Sequence, residues 1–185
     1  YTWQFARMLH LQEMNGWTRF VSMQPLYNLT YREEEREMLP LCEAEGIGVI
    51  PWSPIAGGFL TGRYTRDARA DSLRSQDNVV TGRGNYSSAD YDVSEALVAA
   101  AKARGVPLAQ MALAWVLSKS FITSPLIGST KTSHIDDAVA ALALELAPEE
   151  VAVLEAPYRP KAPQGLSQRV VDAGLVFDTP WGESP

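Results

Sequence analysis

The segment Gly48–Tyr64, GVIPWSPIAGGFLTGRY, constrains this chain more than any other stretch. Ile47, Val49 and Ile50 make an apolar run that Pro51 ends, and the chain then opens through Trp52, Ser53 and Pro54 into a turn carrying Gly57 and Gly58. A short apolar run bounded in this way reads as a buried strand of a parallel sheet. In open and closed α/β sheets alike, ligands bind where such strands empty into their loops. Here the loop offers two glycines for close backbone approach, the Ser53 hydroxyl, the flat face of Trp52 and the fixed charge of Arg63. Those parts suit an aromatic, phosphate-bearing ligand; they also fit an ordinary loop.

Strands and helices alternate around this segment. Trp3–Glu13 reads as an amphipathic helix stopped by Asn15-Gly16, and Phe20–Gln24 as a short strand. Tyr27–Glu37 is polar and acidic, a loop entering a first helical turn. Pro40 divides Glu33–Ala44 into two pieces, standing in the first turn of the second, with Gly46 closing it. Arg63–Asp92 is a long polar loop, of a length that is usually functional or disordered. Ser94–Arg104 is predicted as a helix with Ser94 as N-cap and Gly105 after its end. In Leu108–Lys119, the residues Leu108, Met111, Ala112, Trp115 and Val116 repeat with helical spacing and lay one stripe on a core. Pro125–Gly128 is a third short strand, Ser133–Leu142 a helix opened by Ser133 and Asp136, and Pro148–Glu155 a last helix with proline in its first turn. An irregular tail follows from Pro157. Three strands alternating with helices imply parallel β/α units.

The 185 residues are 46% hydrophobic, enough for one domain with a sizeable core. A net charge of −6 with no basic stripe argues against nucleic acid and against an anionic membrane surface. The single cysteine, Cys42, points to a reducing compartment, hence the cytoplasm, and with two histidines leaves little for a transition metal, so no metal site is expected. No apolar run approaches the roughly 20 residues needed to span a bilayer. The chain opens at Tyr1 inside a helical pattern, as if its start were cut.

Two long stretches carry a resemblance. FVSMQPLYNLTYREEEREMLPLCEAEGIGVIPWSPIAGGFLTGRY and SPLIGSTKTSHIDDAVAALALELAPEEVAVLE occur in this order, and in them the chain resembles the carboxy-terminal half of the aldo-keto reductases, over Trp3 to Tyr158. The branch it is most similar to is the bacterial and fungal one that shares its architecture with potassium-channel beta subunits. The resemblance implies an α/β fold, a partial (β/α)8 TIM barrel made of the last three β/α units with the preceding helix and a carboxy-terminal helix. A complete barrel typically needs about 250 residues, more than are here. Residues 1–158 would form this half-barrel with its NADP-binding loops, and residues 159–185 an irregular tail.

The same resemblance implies a cofactor, NADP(H), and its contacts. Gln24 matches the glutamine that bonds the nicotinamide carboxamide, a task for a side chain with both a donor and an acceptor. Trp52 matches the aromatic residue stacked on the nicotinamide. Ser53, Pro54, Ile55, Gly57 and Gly58 match the loop along the pyrophosphate, and Arg63 the cation on it, with Arg74 a looser second. Gly128, Ser129, Thr130 and Lys131 would meet the 2′-phosphate with hydroxyls, backbone N–H groups and an ammonium. His134 and Asp137 would face the adenine; His134 stands where many members carry Arg or Gln, so a weaker or pH-dependent grip on the 2′-phosphate is expected, and Ala138 stands where asparagine is frequent, so one adenine contact is expected to be missing. Taken without the resemblance, Gln24 also reads as a loop-satisfying strand end, Trp52 as core, and Lys131 and Asp137 as a solvated helix start.

In the family a tyrosine, an Asp–Lys pair and a histidine on the first four strands reduce a carbonyl to an alcohol by hydride transfer from NADPH. None of those strands is present, so no catalytic residue is assigned. His10 and His134 do not match, and Tyr27 and Tyr31 read as pocket wall. The expected function is that of an NADPH-dependent oxidoreductase acting on a small-molecule carbonyl substrate. The partner expected is the missing amino-terminal half or a second copy, without which the unpaired sheet edges make the chain marginal. The alternatives are a non-catalytic NADP-binding or regulatory module and an inactive truncated product.

Overall fold

In the computed structural model, which describes residues 1–66 and 86–162, three chain segments run parallel and side by side. The strand β1 (Ser22–Met23) pairs with β2 (Gly48–Val49) in the register Ser22↔Gly48 and Met23↔Val49. The pairing runs on beyond both. The N–H groups of Gly48, Ile50 and Trp52 donate to the carbonyls of Val21, Met23 and Pro25 at 3.0, 2.9 and 2.9 Å, and Leu26 bridges Trp52. On the other side of β2, Thr123 and Leu126 donate to the carbonyls of Val49 and Pro51 at 2.9 and 2.8 Å. The third strand thus meets the sheet from Ile122 to Leu126, as single bridges and earlier than Pro125–Gly128. The reason is chemical: Pro25, Pro51 and Pro125 have no N–H, so each interrupts a ladder.

The two-residue period sorts the side chains by face. Met23, Pro25, Val49 and Pro51 share one face, where Val49 and Pro51 are buried and Met23 packs on the core. Ser22, Gln24, Ile50 and Trp52 share the opposite face, where Gln24 is exposed. Gly48 lets the third segment come close, since a Cβ there would stand 3.2 Å from Thr123 Oγ1 and the threonine would have to give way.

The helices are α1 (Thr2–Asn15), α2 (Met38–Ala44), α3 (Ser88–Arg104), α4 (Leu108–Leu117), α5 (Thr132–Ala141) and α6 (Pro148–Glu155). α1 ends at Gly16 with φ 64° and α3 at Gly105 with φ 67°, left-handed closures that glycine makes without penalty. A 3₁₀ turn at Glu33–Arg36 precedes α2, and Pro40 sits in the first turn of α2, so the two-piece reading holds. α3 begins six residues before Ser94. Its N-cap is Ser87, whose N–H donates to Asp90 Oδ2 at 2.8 Å while Asp90 N–H returns to Ser87 Oγ at 3.3 Å, and Ser94 is buried inside the helix. The residues 88–92, read as loop, are therefore helical. In α5 the cap is Lys131, and Ser133 and Asp136 lie within the helix. α6 starts with Pro148 at its first position, and Glu150 accepts from Ala147 N–H at 2.8 Å.

The core lies between the helices and the covered sheet face, around Trp115, Tyr27, Phe59, Leu97, Met111 and Leu154. α4 is buried on nearly its whole circumference, Leu113 and Ala114 included, so it is an inner helix with more than one stripe on the core. Among the described residues, neither β1 nor the third segment has a strand on its outer edge. Large apolar side chains stand exposed on α1 and the segment leading into β1, with Trp3, Met14, Trp17 and Val21, and on α5 and just after it, with Ile135, Val139 and Leu142.

Candidate functional site

One bridged row of the sheet fixes where the candidate residues lie. Leu26, Trp52 and Leu126 bridge one another across the three segments, with Gln24 two residues before that row and Gly128 two residues beyond it. At about 3.3 Å per residue along a strand, each lies roughly 7 Å from the row. Gln24 and Trp52 share the face away from the helices; Gly128, Ser129, Thr130 and Lys131 are exposed at the neighbouring segment end.

The turn after Trp52 has unusual backbone geometry. Ser53 (φ 58°) and Ala56 (φ 52°) are the only non-glycine residues at positive φ among the described residues, and Gly57 (φ 64°) and Gly58 (φ 98°) follow them. Left-handed geometry costs a residue with a Cβ about 1–2 kcal/mol, so something must hold Ser53 and Ala56 there. Two side chains do, and a third holds Gly58. Asn28 Nδ2 donates to the Ser53 carbonyl at 3.0 Å, Tyr86 OH to the Ala56 carbonyl at 2.8 Å and Thr61 Oγ1 to the Gly58 carbonyl at 2.7 Å. Asn28 is itself fixed, its Oδ1 accepting from Thr30 N–H at 2.9 Å and Thr30 Oγ1 at 2.8 Å in a buried setting. Tyr86 lies flat on Phe59, ring centroids 3.6 Å apart. A Cβ built on Gly57 or Gly58 would meet nothing within 4 Å, so the turn faces open space.

At the third segment the Ser129 hydroxyl donates to the Lys131 carbonyl at 2.5 Å and accepts the Lys131 N–H at 3.1 Å, a local turn that sets the entry to α5. Ser133 does not cap the helix. His134 and Asp137 are half-buried on α5, and Asp137 accepts from Gln110 Nε2 of α4 at 2.9 Å, so that carboxylate already has a partner within the chain. Arg63 is exposed at the end of the glycine turn, whereas Arg74 lies outside the described residues, as do residues 67–85 and 163–185.

Tyr27 and Tyr31 are not pocket wall. Both are buried; Tyr27 stacks on Trp115 at 5.3 Å, meets Phe121 edge-on and donates its hydroxyl to Glu35 at 2.7 Å. Burial first, and then the negative charge of Glu35, push its pKa far above the usual tyrosine value, so it holds its proton. Around it lies an ionic cluster. Arg32 forks onto Glu35 at 2.9 and 2.8 Å and reaches Glu155 at 3.0 Å; Glu155 also accepts from Trp115 Nε1 at 2.9 Å and pairs with Lys119. Burial alone would raise the Glu155 carboxyl, but its bonds from Lys119 and Trp115 and the charge of Arg32 bring it below the usual range. A cavity of about 300 Å³ opens beside this cluster, lined by Arg32, Glu35, Pro40 and Lys119, and includes none of the candidate residues.

Among the described residues no cluster of three or more metal-ligating side chains exists, and no helix is long and apolar enough to cross a membrane. The aldo/keto reductase family model matches residues 4–159. The chain belongs to this family. It is 39% identical over 163 residues to a putative aryl-alcohol dehydrogenase of Schizosaccharomyces pombe, covering 88% of this chain and 45% of that protein. It is 40% identical over 164 residues to the aldo-keto reductase AMT2 of Alternaria alternata, covering 89% and 43%. Identity to the versiconal hemiacetal acetate reductase of Aspergillus parasiticus is 38% over 163 residues, covering 86% and 46%. The chain thus spans about half the length of the curated relatives it matches.

Sequence reasoning missed Asn28, Thr61 and Tyr86. Asn after a strand and before a turn was a usable signal, since its amide competes for backbone carbonyls. Tyr86 gave no such signal, because its partner is 30 residues away.

Proposed function

We propose that this chain is the cofactor-binding portion of an NADP(H)-dependent aldo-keto reductase, a cytoplasmic enzyme that reduces a small aldehyde or ketone to an alcohol. The observation that carries this reading is the turn at residues 53–58. Its carbonyls at Ser53, Ala56 and Gly58 are tied to the protein, its glycines face open space, and Arg63 follows it. Two glycines beside open space and a cation after them suit a diphosphate. Gln24 and Trp52 would take the nicotinamide, Ser53, Pro54, Ile55, Gly57, Gly58 and Arg63 the diphosphate, and Gly128 to Lys131 the 2′-phosphate. His134 would lie at the adenine; Asp137 would reach it only by sharing its carboxylate with Gln110. Bound there, NADP(H) would supply the hydride.

The proton donor comes from elsewhere in this reading, because Tyr27 is buried and bonded to Glu35. The three parallel segments are the last β/α units of a (β/α)8 barrel. The preceding half of that barrel would cover the open sheet edges and the exposed Trp3, Trp17, Val21, Ile135 and Val139. The relatives that are named as reductases and dehydrogenases support the reaction class. The test is calorimetric titration of NADPH and NADH into the wild-type chain and Lys131→Ala. A charge-assisted contact is worth about 1.5–3 kcal/mol, so the variant loses at least tenfold in NADPH affinity and nothing in NADH affinity. Equal losses for both would refute the assignment of Lys131.

A further inference from the structure

The carboxylate of Asp137 is held on one side and open on the other. Gln110 Nε2 donates to its Oδ1 at 2.9 Å, while its Oδ2 accepts from nothing among the described residues. Gln110 stands in the first turn of α4, a helix buried without a break from Met111 to Val116, so the donor rests on a rigid element. Asp137 lies in the second turn of α5. There His134, Asp137 and Ala138 recur at i, i+3 and i+4 on one half-buried face, whereas Ile135, Asp136 and Val139 are exposed. That face offers an imidazole ring, one open carboxylate oxygen and, at Ala138, little bulk. A carboxylate oxygen can only accept. Free to turn, the Asp137 side chain could meet a donor anywhere around it; bonded to Gln110, it offers one acceptor in one place. A purine is told apart there by its 6-position. Adenine carries an amino group, which donates, whereas hypoxanthine carries a carbonyl, which does not, and has its N–H on the neighbouring ring atom.

We propose that Gln110 is a positioning residue for base recognition, fixing Asp137 so that the site takes an adenine dinucleotide in preference to its hypoxanthine counterpart. Gln110 touches no ligand; it acts through the Asp137 carboxylate. Base recognition at Asp137 rests on the dinucleotide reading above, and the two fail separately in the following experiment.

NADPH and deamino-NADPH, in which hypoxanthine replaces adenine and all else is unchanged, are titrated calorimetrically into the wild-type chain, Gln110→Leu and Gln110→Glu, with a thermal melt of each. Leucine keeps the volume and removes the amide; glutamate replaces one nitrogen by oxygen, keeps the shape and, as a carboxylate, cannot donate. Because the amino group meets a charged acceptor, wild type should bind NADPH about tenfold or more tightly than deamino-NADPH. In both variants that preference should fall below about threefold, because a released Asp137 can swing to the N–H of hypoxanthine as well. General loss of structure weakens both ligands alike and leaves the ratio unmoved. A variant that melts cooperatively and keeps the wild-type preference overturns the inference, as does a wild type that binds the two ligands equally; in either case NADPH binding itself stands. Gln110→Glu keeps the test decisive should Gln110→Leu unfold. Wild type that binds neither dinucleotide overturns this inference and the reading beneath it together.

Discussion

Alanine at Gly57 and at Gly58 should separate backbone cost from steric cost in the turn. Neither position has an atom within 4 Å of a built Cβ, so no clash contributes to stability. What remains is conformation. Gly57, at φ 64°, lies in the small left-handed region open to L-residues, whereas Gly58, at φ 98°, lies outside it. Alanine at Gly57 should cost about 1–2 kcal/mol for the left-handed geometry, offset by about 0.4–1 kcal/mol from the lower entropy of its unfolded chain. A net loss of roughly 0.5–1 kcal/mol follows. Alanine at Gly58 should cost more, on the order of 2–3 kcal/mol. Urea unfolding followed by circular dichroism measures both, with the slope m unchanged if the denatured state is unaffected. Because each added methyl projects into the space assigned to the diphosphate, NADPH affinity should fall further than stability does. Gly57→Ala costing as much as Gly58→Ala, or more than 3 kcal/mol, would show that something other than φ decides these positions.

The ionic cluster gives further expectations. Glu155→Gln keeps the volume but strips the charge facing Arg32 and Lys119, and should destabilise by about 2–3 kcal/mol, less than the 3–5 of a fully buried pair because Arg32 keeps Glu35; a loss below 0.5 kcal/mol in urea would remove the cluster from any account of stability. Acid should act through the same groups. Burial raises the Glu33 carboxyl, but bonds from Tyr158 and from Lys161 N–H and the charge of Arg36 leave it, like Glu155, below the usual range. With folded values depressed, their stabilisation is complete above about pH 4.3 and disappears as pH falls through the folded values. Glu34, raised by burial, works in the opposite sense and softens the decline. A melting temperature that climbs steadily from pH 5 to pH 3 would contradict this sign. Finally, Ser87→Ala should cost about 1 kcal/mol by removing the cap of α3, whereas Ser94→Ala leaves that cap intact; urea midpoints should rank them so.

Local signals were legible and distant ones were not. Gly16, Gly105 and Pro148 mark helix ends because their conformational preferences act on their own residue. The start of α3 escaped because Ser87 and Asp90 form their reciprocal cap inside a polar stretch that resembles loop. The third strand pairs earlier than Pro125 suggests, because Pro125 looks like a strand's first residue while pairing is decided by which N–H groups face Val49 and Pro51. Tyr27 read as pocket wall for the same kind of reason: its burial is set by Trp115 and Phe121, far along the chain. At the candidate site the residue types were readable, and the strained backbone at Ser53 and Ala56 was not, since no local preference predicts it.

The dinucleotide site claimed for these residues is checked by a melting series over NADPH concentration. Ligand that binds only the folded state raises stability by about 2.7 kcal/mol at a hundredfold excess over Kd. The predicted result is a melting temperature that rises with the logarithm of NADPH concentration, with a smaller rise for NADH. A melting temperature unmoved by millimolar NADPH would contradict the claim.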